Sequence, residues 1–217
     1  AVVINKGLKD MIEKNKDVIY YLTLENENYL HPKIPANIKD DIIKGLYKLK
    51  GNQKSVVRLL GSGPLVNEVI KAAKLLKEDW SIEVEIWNVT SYSELRRNAE
   101  EIERWNKMHP NKQKQSQLEK CFSKHTIPII AVSDYVKMIP EQISHYTPGI
   151  LYALGTDGFG RSDSREKLRD FFEVDCYHIV LSAIKALVIN KTLNKTNINK
   201  VMKKYNINPD KPSPLSL

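Results

Sequence analysis

The stretch SVVRLLGSGPLVNEVIKAAKLLKEDWSIEVEIWNV, residues 55–89, decides the fold. Its first seven residues, SVVRLLG, are rich in β-branched and aliphatic side chains and read as a strand. Apolar residues then fall at 65, 69, 72, 73 and 76, the stripe of a helix with one buried face. Pro64 suits the first helical position, where a missing N–H leaves nothing unpaired. The segment 82–89, IEVEIWNV, alternates as a second strand does. Strand, helix and strand in succession predict a parallel pair joined by a helical crossover.

The alternation continues downstream. SYSELRRNAEEIERW (91–105) is helical, with Ser91 as its cap and Glu94 three residues on. A basic, glutamine-rich segment (106–117) reads as an exposed loop. IPIIAVS (127–133) is a buried strand, DYVKMIPEQISHY (134–146) a helix and ILYALG (150–155) a strand. Helical sequence resumes at Arg165, and helices over roughly 175–190 and 196–205 finish the chain.

Upstream, AVVINKGLKDMIEK is an amphipathic helix and VIYYLTL (18–24) reads as a strand. ENENYLHPKIPAN (25–37), with its two prolines, is a linker or a functional loop. IIKGLYKLK (42–50) reads as a helical turn leading into an edge strand. The expected fold class is therefore α/β: a mostly parallel twisted sheet of about five strands with helices on both faces, after a short helix–strand stub. Residues 1–35 are assigned to the end of a preceding domain, 36–54 to a linker and 55–217 to the sheet domain.

Composition narrows the function classes. With 41% hydrophobic and 28% charged residues, the chain reads as a soluble globular protein with no membrane span and no signal peptide. It begins at Ala1 rather than Met and is already in helical register, so it reads as a piece cut from something longer. The net charge of +8 comes from lysines scattered among acidic residues, as in LLKEDW and REKLRD, which argues against a nucleic-acid surface. Two cysteines, Cys121 and Cys176, lack framework spacing and fit a reducing, cytoplasmic setting. With His125 and His178 they offer four zinc ligands, but neither pair has finger spacing.

Several motifs carry two readings. Gly61-x-Gly63 follows a strand as in a dinucleotide site, but Val66 replaces the third glycine, and Glu83 and Glu85 lie within a strand. A tight strand-to-helix turn is the plainer account. Asp134 and Asp157 follow strands at the end where open sheets place ligands, and either cap the next helix or bind a metal. ENENYLHP (25–32) sets two glutamates, a tyrosine and a histidine within one loop, as binding loops do and as a solvated linker also can.

Taken in order, VIYYLTLENENYLHPKIP, TSYSELRR, ERWNKMHP and LGTDGFGRSD make a highly specific combination. With them the chain closely resembles the C-terminal part of the decarboxylating components of bacterial pyruvate dehydrogenase complexes. The likeness is to the single-chain, homodimeric type of the transketolase superfamily, and it covers essentially all of 1–217. The resemblance implies a transketolase C-terminal-like sheet domain, with 1–35 the end of a pyrimidine-binding-type domain. It implies an enzyme that decarboxylates pyruvate with thiamine diphosphate and magnesium, then passes the acetyl group to the lipoyl groups of a dihydrolipoamide acetyltransferase.

The family's Gly-Asp-Gly…Asn cofactor motif and the segment of its activating glutamate are absent from 1–217. By itself the fragment is therefore expected neither to bind the cofactor nor to turn over, and to serve dimerisation and assembly; a stand-alone interaction module is the alternative. In the family a histidine just after Asn-Glu-Asn-Tyr reaches the active site. Here that position is Leu30 and the histidine follows at His31, which makes His31 the candidate proton shuttle and Glu27 its candidate neighbour. The resemblance also implies that the loop containing Asp157, Gly158, Gly160, Arg161 and Asp163 is architectural. Its glycines would bend the backbone where side chains would obstruct packing, and its charged residues would touch a neighbouring domain or subunit.

Overall fold

The structure is a computed structural model that describes residues 1–122 and 125–216. The chain opens with α1 (Val2–Leu8), extended by one π-helical turn (Lys9–Glu13), and reaches α2 (Lys39–Ile43) only after a long irregular stretch. There follow β1 (Leu46–Lys50), β2 (Val57–Ser62), α3 (Leu65–Trp80), β3 (Val84–Val89), α4 (Tyr92–Met108), α5 (Gln117–Phe122) and β4 (Ile129–Val132). The last part comprises α6 (Met138–Glu141), β5 (Leu151–Leu154), α7 (Arg165–Phe171), α8 (Cys176–Ile189) and α9 (Thr196–Lys204).

One five-stranded sheet runs in the order β1-β3-β2-β4-β5. Only β1 is antiparallel; the β3-β2, β2-β4 and β4-β5 pairs are parallel. Because side chains alternate along a strand, each strand feeds two cores. Val57, Leu59, Ile86 and Ile130 point to one face, where they pack with Val69 and Leu76 of α3 and Ile179 and Ile184 of α8. Leu60, Trp87, Ile129 and Ala131 point to the other, against Leu95 of α4 and Leu118 and Phe122 of α5. Helices cover both faces, and the expected fold class holds. Fully burying a side chain of this size contributes about 1.5–3 kcal/mol, so these two cores fix the sheet.

Local signals act as their chemistry predicts. Ser91 Oγ accepts from the Glu94 N–H at 3.2 Å and starts α4. Ser81, in the left-handed conformation, ends α3 by closing its N–H onto the Lys77 carbonyl. The turn and edge strand expected in 42–50 form as α2 and β1. The stretch 36–54, read as a linker, thus carries a strand of the sheet.

Two expectations fail. Residues 18–24 form no strand: Ile19, Tyr21 and Leu24 are 94%, 88% and 87% exposed. High β-propensity needs a partner strand, and none among the described residues lies beside them. The 134–146 segment is not one helix but α6 and a 3₁₀ turn, Ser144–Tyr146. Its first backbone groups are drawn elsewhere. The Tyr135 carbonyl accepts from the Thr156 N–H at 3.0 Å, and the Lys137 N–H donates to Asp157 Oδ1 at 2.8 Å.

Candidate functional site

β2 has β3 on one side and β4 on the other, so the crevice at their carboxyl ends lies where the chain's winding reverses. Gly63 closes β2 with φ +55, and Asp134 follows β4. A Cβ built on Gly63 would lie 3.6 Å from Asp134 Oδ1, so the two residues face one another across the crevice. The loop Glu25–His31 is laid over this place. A cleft of about 600 Å³ is lined by Glu25, Glu27, Tyr29 and His31 on one side and by Gly63, Pro64, Asn67 and Asn88 on the other.

Asp134 meets the Glu25 carboxyl. Burial, and then this acidic neighbour, push the Asp134 carboxyl up to about 6. A carboxyl so placed keeps its proton to higher pH than one in water. Asp134 neither joins Asp157 in a metal-ligand cluster among the described residues nor caps a helix. Asp157, by contrast, takes the Lys137 N–H just ahead of α6 and lies 3.6 Å from Lys137 Nζ.

Arg165, the first residue of α7, anchors the loop from the other side. Its Nε donates to Glu27 Oε1 at 3.3 Å, its Nη2 donates to Asn26 Oδ1 at 3.2 Å, and its Nη1 lies 3.9 Å from Glu25 Oε2. Tyr29 donates its hydroxyl to Glu27 Oε2 at 3.2 Å, and the Arg169 guanidinium lies over the Tyr29 ring. Arg169 in turn donates to the buried Glu68 of α3 at 3.0 Å. Glu68 also accepts from Lys71 and from the Cys176 N–H at the start of α8. The loop is therefore tied through two arginines to the rigid part of the fold.

Glu27 and His31 both reach the cleft, Glu27 held by Arg165 and Tyr29, His31 exposed and free of hydrogen bonds to the described residues. Asp157, Gly158, Gly160, Arg161 and Asp163 are not in this cleft. Gly158 has φ +92, and a Cβ there would come within 2.5 Å of the Pro214 carbonyl oxygen, whereas a Cβ on Gly160 would meet open space. Arg161 lies over the Phe171 ring, and Asp163 accepts from the Ser164 N–H at 2.7 Å. Arg165 and Asp134 complete the site. Sequence reasoning missed the role of the first and mistook that of the second; a basic residue at the start of a helix, where it opposes the macrodipole, was the available signal for Arg165.

The remaining motifs resolve into structure. A Cβ on Gly61 would come within 2.9 Å of the Val66 Cα, so that glycine serves close packing of α3 on β2. Glu83 pairs with Lys77, and Glu85 with Arg58 and Lys48, at the opposite end of the strands from Gly63; neither can meet a ribose there. Burial raises the Cys121 thiol to about 11 and the Cys176 thiol to about 12, which leaves both unreactive near neutrality. The one group with metal-ligand spacing among the described residues is Asp170, Asp175 and His178. Asp175 is spent there on capping α8, accepting from the backbone N–H of His178 and lying 2.8 Å from its Nδ1. These residues do not fit a diphosphate–magnesium site. No helix among the described residues is long and apolar enough to cross a membrane.

Residues 45–175 match the family described as the transketolase-like TK C-terminal domain. The chain is 46% identical to the pyruvate dehydrogenase E1 component of Cupriavidus necator over 100% of its length, and 39% identical to that of Escherichia coli K12 over 99%. It spans 25% and 24% of those two proteins, about a quarter of each. Among solved structures, a transketolase from Pichia stipitis superposes with a TM-score of 0.53 at 17% identity, over 74% of this chain and 20% of that one. That likeness concerns the fold. A mostly parallel sheet in this strand order, matched from Leu46 through α7 by one family, places the chain in the transketolase-like C-terminal domain family.

Proposed function

We propose that this chain is the C-terminal part of a pyruvate dehydrogenase component that decarboxylates pyruvate and passes the acetyl group to the lipoyl groups of a dihydrolipoamide acetyltransferase. The observation that carries this reading is the 46% identity, over the whole chain, to a pyruvate dehydrogenase E1 component. Thiamine diphosphate would act as the electron sink for decarboxylation. Its magnesium and diphosphate would be held by upstream domains, where the resemblance puts the motif that binds them.

This chain's part is to place proton-handling groups and to build an assembly. Glu27 has its carboxylate fixed by Arg165 and Tyr29, so it can hold a proton acceptor at a set position. His31 stands free in the same cleft, where it would serve as the proton shuttle. The exposed Ile19, Tyr21, Leu24 and Leu30 near this loop support contact with a further protein surface. Phe159, 81% exposed in the 155–164 loop, supports a subunit contact there, as a homodimer would make.

The test is direct. The complete protein, supplied with pyruvate, thiamine diphosphate and magnesium, should release carbon dioxide and acetylate a lipoyl domain. A complete, folded protein that does neither under saturating cofactor would overturn the reading.

A further inference from the structure

A loop that carries catalytic groups must be held to within a fraction of an ångström, yet ENENYLHP has little apolar burial of its own: Leu30 is 92% exposed and only Tyr29 and Pro32 are partly covered. Its order has to come from polar contacts, and those converge on one side chain. Three nitrogens of the Arg165 guanidinium reach three successive loop residues, Glu25, Asn26 and Glu27. A planar fork can do this; a single ammonium group cannot satisfy three acceptors in those directions.

We propose that Arg165 is a positioning residue that holds the Glu25–Glu27 segment, and with it His31, over the carboxyl ends of β2 and β4. The proposal rests on the reading of this loop as part of an active centre. It also accounts for the length and polarity of the 155–164 loop. β5 ends at Leu154 beside β4, and the chain must travel back to start α7 where Arg165 can reach the crevice. Ser164 then fixes the start of that helix, its Oγ accepting from the Lys167 N–H at 3.4 Å. Further along α7, Arg169 and the buried Glu68 tie the helix to α3. A rigid helix start thereby sets the position of a loop that cannot order itself.

Without Arg165, Glu27 would keep only the Tyr29 hydroxyl, and Asn26 would lose its side-chain partner. The Arg165 side chain is 44% exposed, so its removal opens no core cavity and the fold should survive. Misplacement by about 1 Å can cost about 100-fold in rate.

The test uses the complete protein with Arg165→Ala and Arg165→Lys, read by the rate at which a glutamate-specific protease cuts the 25–31 loop and by steady-state kinetics with pyruvate. Faster cutting at that loop is expected for the Ala variant, with turnover down about 10–100-fold and the pyruvate KM little changed. The Lys variant should recover part of both. Unchanged cutting at Glu25 and Glu27 would overturn the hold of Arg165 on the loop whatever the activity shows. Faster cutting with wild-type turnover would show that the loop's position does not matter to the reaction, and would overturn the positioning role in catalysis. If the wild-type protein itself proves inactive on pyruvate, the functional reading falls alone, because cutting still decides whether Arg165 holds the loop.

Discussion

Arg58 and Glu85 stand opposite each other in the parallel β2–β3 pair, with Nε 2.7 Å from Oε2 and the arginine only 1% exposed. The cluster is closed. Arg58 also donates to the carbonyls of His125 and Phe122, and Glu85 accepts from Lys48 and Trp87. Removing one partner strands a buried charge, which costs about 3–5 kcal/mol, whereas replacing both by apolar residues can be nearly neutral. Glu85→Leu should therefore lower stability by that amount in urea denaturation, and Arg58→Met with Glu85→Leu should recover most of it. Burial would raise the Glu85 pKa, but the bonds from Lys48, Arg58 and Trp87 outweigh it and hold the group below its ordinary value. Its stabilisation is thus present above about pH 4.5 and lost as pH falls through the folded value.

Asp134 behaves in the opposite sense. Its folded-state pKa of about 6 lies above the ordinary 3.8, so the folded protein holds the proton more tightly than the unfolded chain does. Its contribution is complete below about pH 4 and disappears as pH rises through about 6. Asp134→Asn should therefore match the wild type near pH 4 and exceed it at pH 7.5. The gain is about 1 kcal/mol, small because water screens this half-buried group. Thermal melting at the two pH values checks it, and a constant difference between variants would refute the assignment.

Gly158 and Gly160 differ by two positions and should differ in consequence. Alanine at Gly158 must adopt φ +92 and drive its Cβ against the Pro214 carbonyl, so a loss of 1 kcal/mol or more is expected, on the order of that for strained backbone. Alanine at Gly160 meets nothing, and the reduced freedom of the unfolded chain makes it neutral or slightly stabilising. Paired denaturation curves decide the matter. Equal losses would show that an outside surface crowds Gly160 too.

The parts of this molecule legible in its sequence are those governed by near neighbours. The period of Val69, Ala72 and Leu76 is local, as is the cap at Ser91, and β2, α3, β3 and α4 follow from such signals. The strand expected at 18–24 fails because strand pairing is a property of two segments, and Ile19 and Tyr21 have the propensity without the partner. The helix expected at 134–146 breaks because Tyr135 and Lys137 bond to Thr156 and Asp157, some twenty residues away. The candidate site is harder still. Glu27 and His31 are singled out only by the resemblance of their loop to the family's, and the bond from Arg165 to Glu27 spans 138 positions, which no local pattern encodes.

His31 separates catalysis from connection. It lies exposed in the cleft with Glu27, across from Gly63 and Asn88, and no packing depends on its imidazole. Replacing it by alanine should therefore leave the melting temperature of the complete protein unchanged. If the imidazole moves a proton during decarboxylation or acetyl transfer, turnover falls by about 10²–10⁴-fold. Because the contact is made in the transition state rather than in the bound ground state, the pyruvate KM should hardly move. A His31→Gln variant, which keeps the volume but cannot carry a proton, should fall as far as the alanine. The pattern to measure is thus two variants, equal in stability and in KM, both crippled in turnover. Wild-type turnover in either variant would remove His31 from the mechanism, leaving Glu25 and Glu27 as the carboxyl groups lining the cleft.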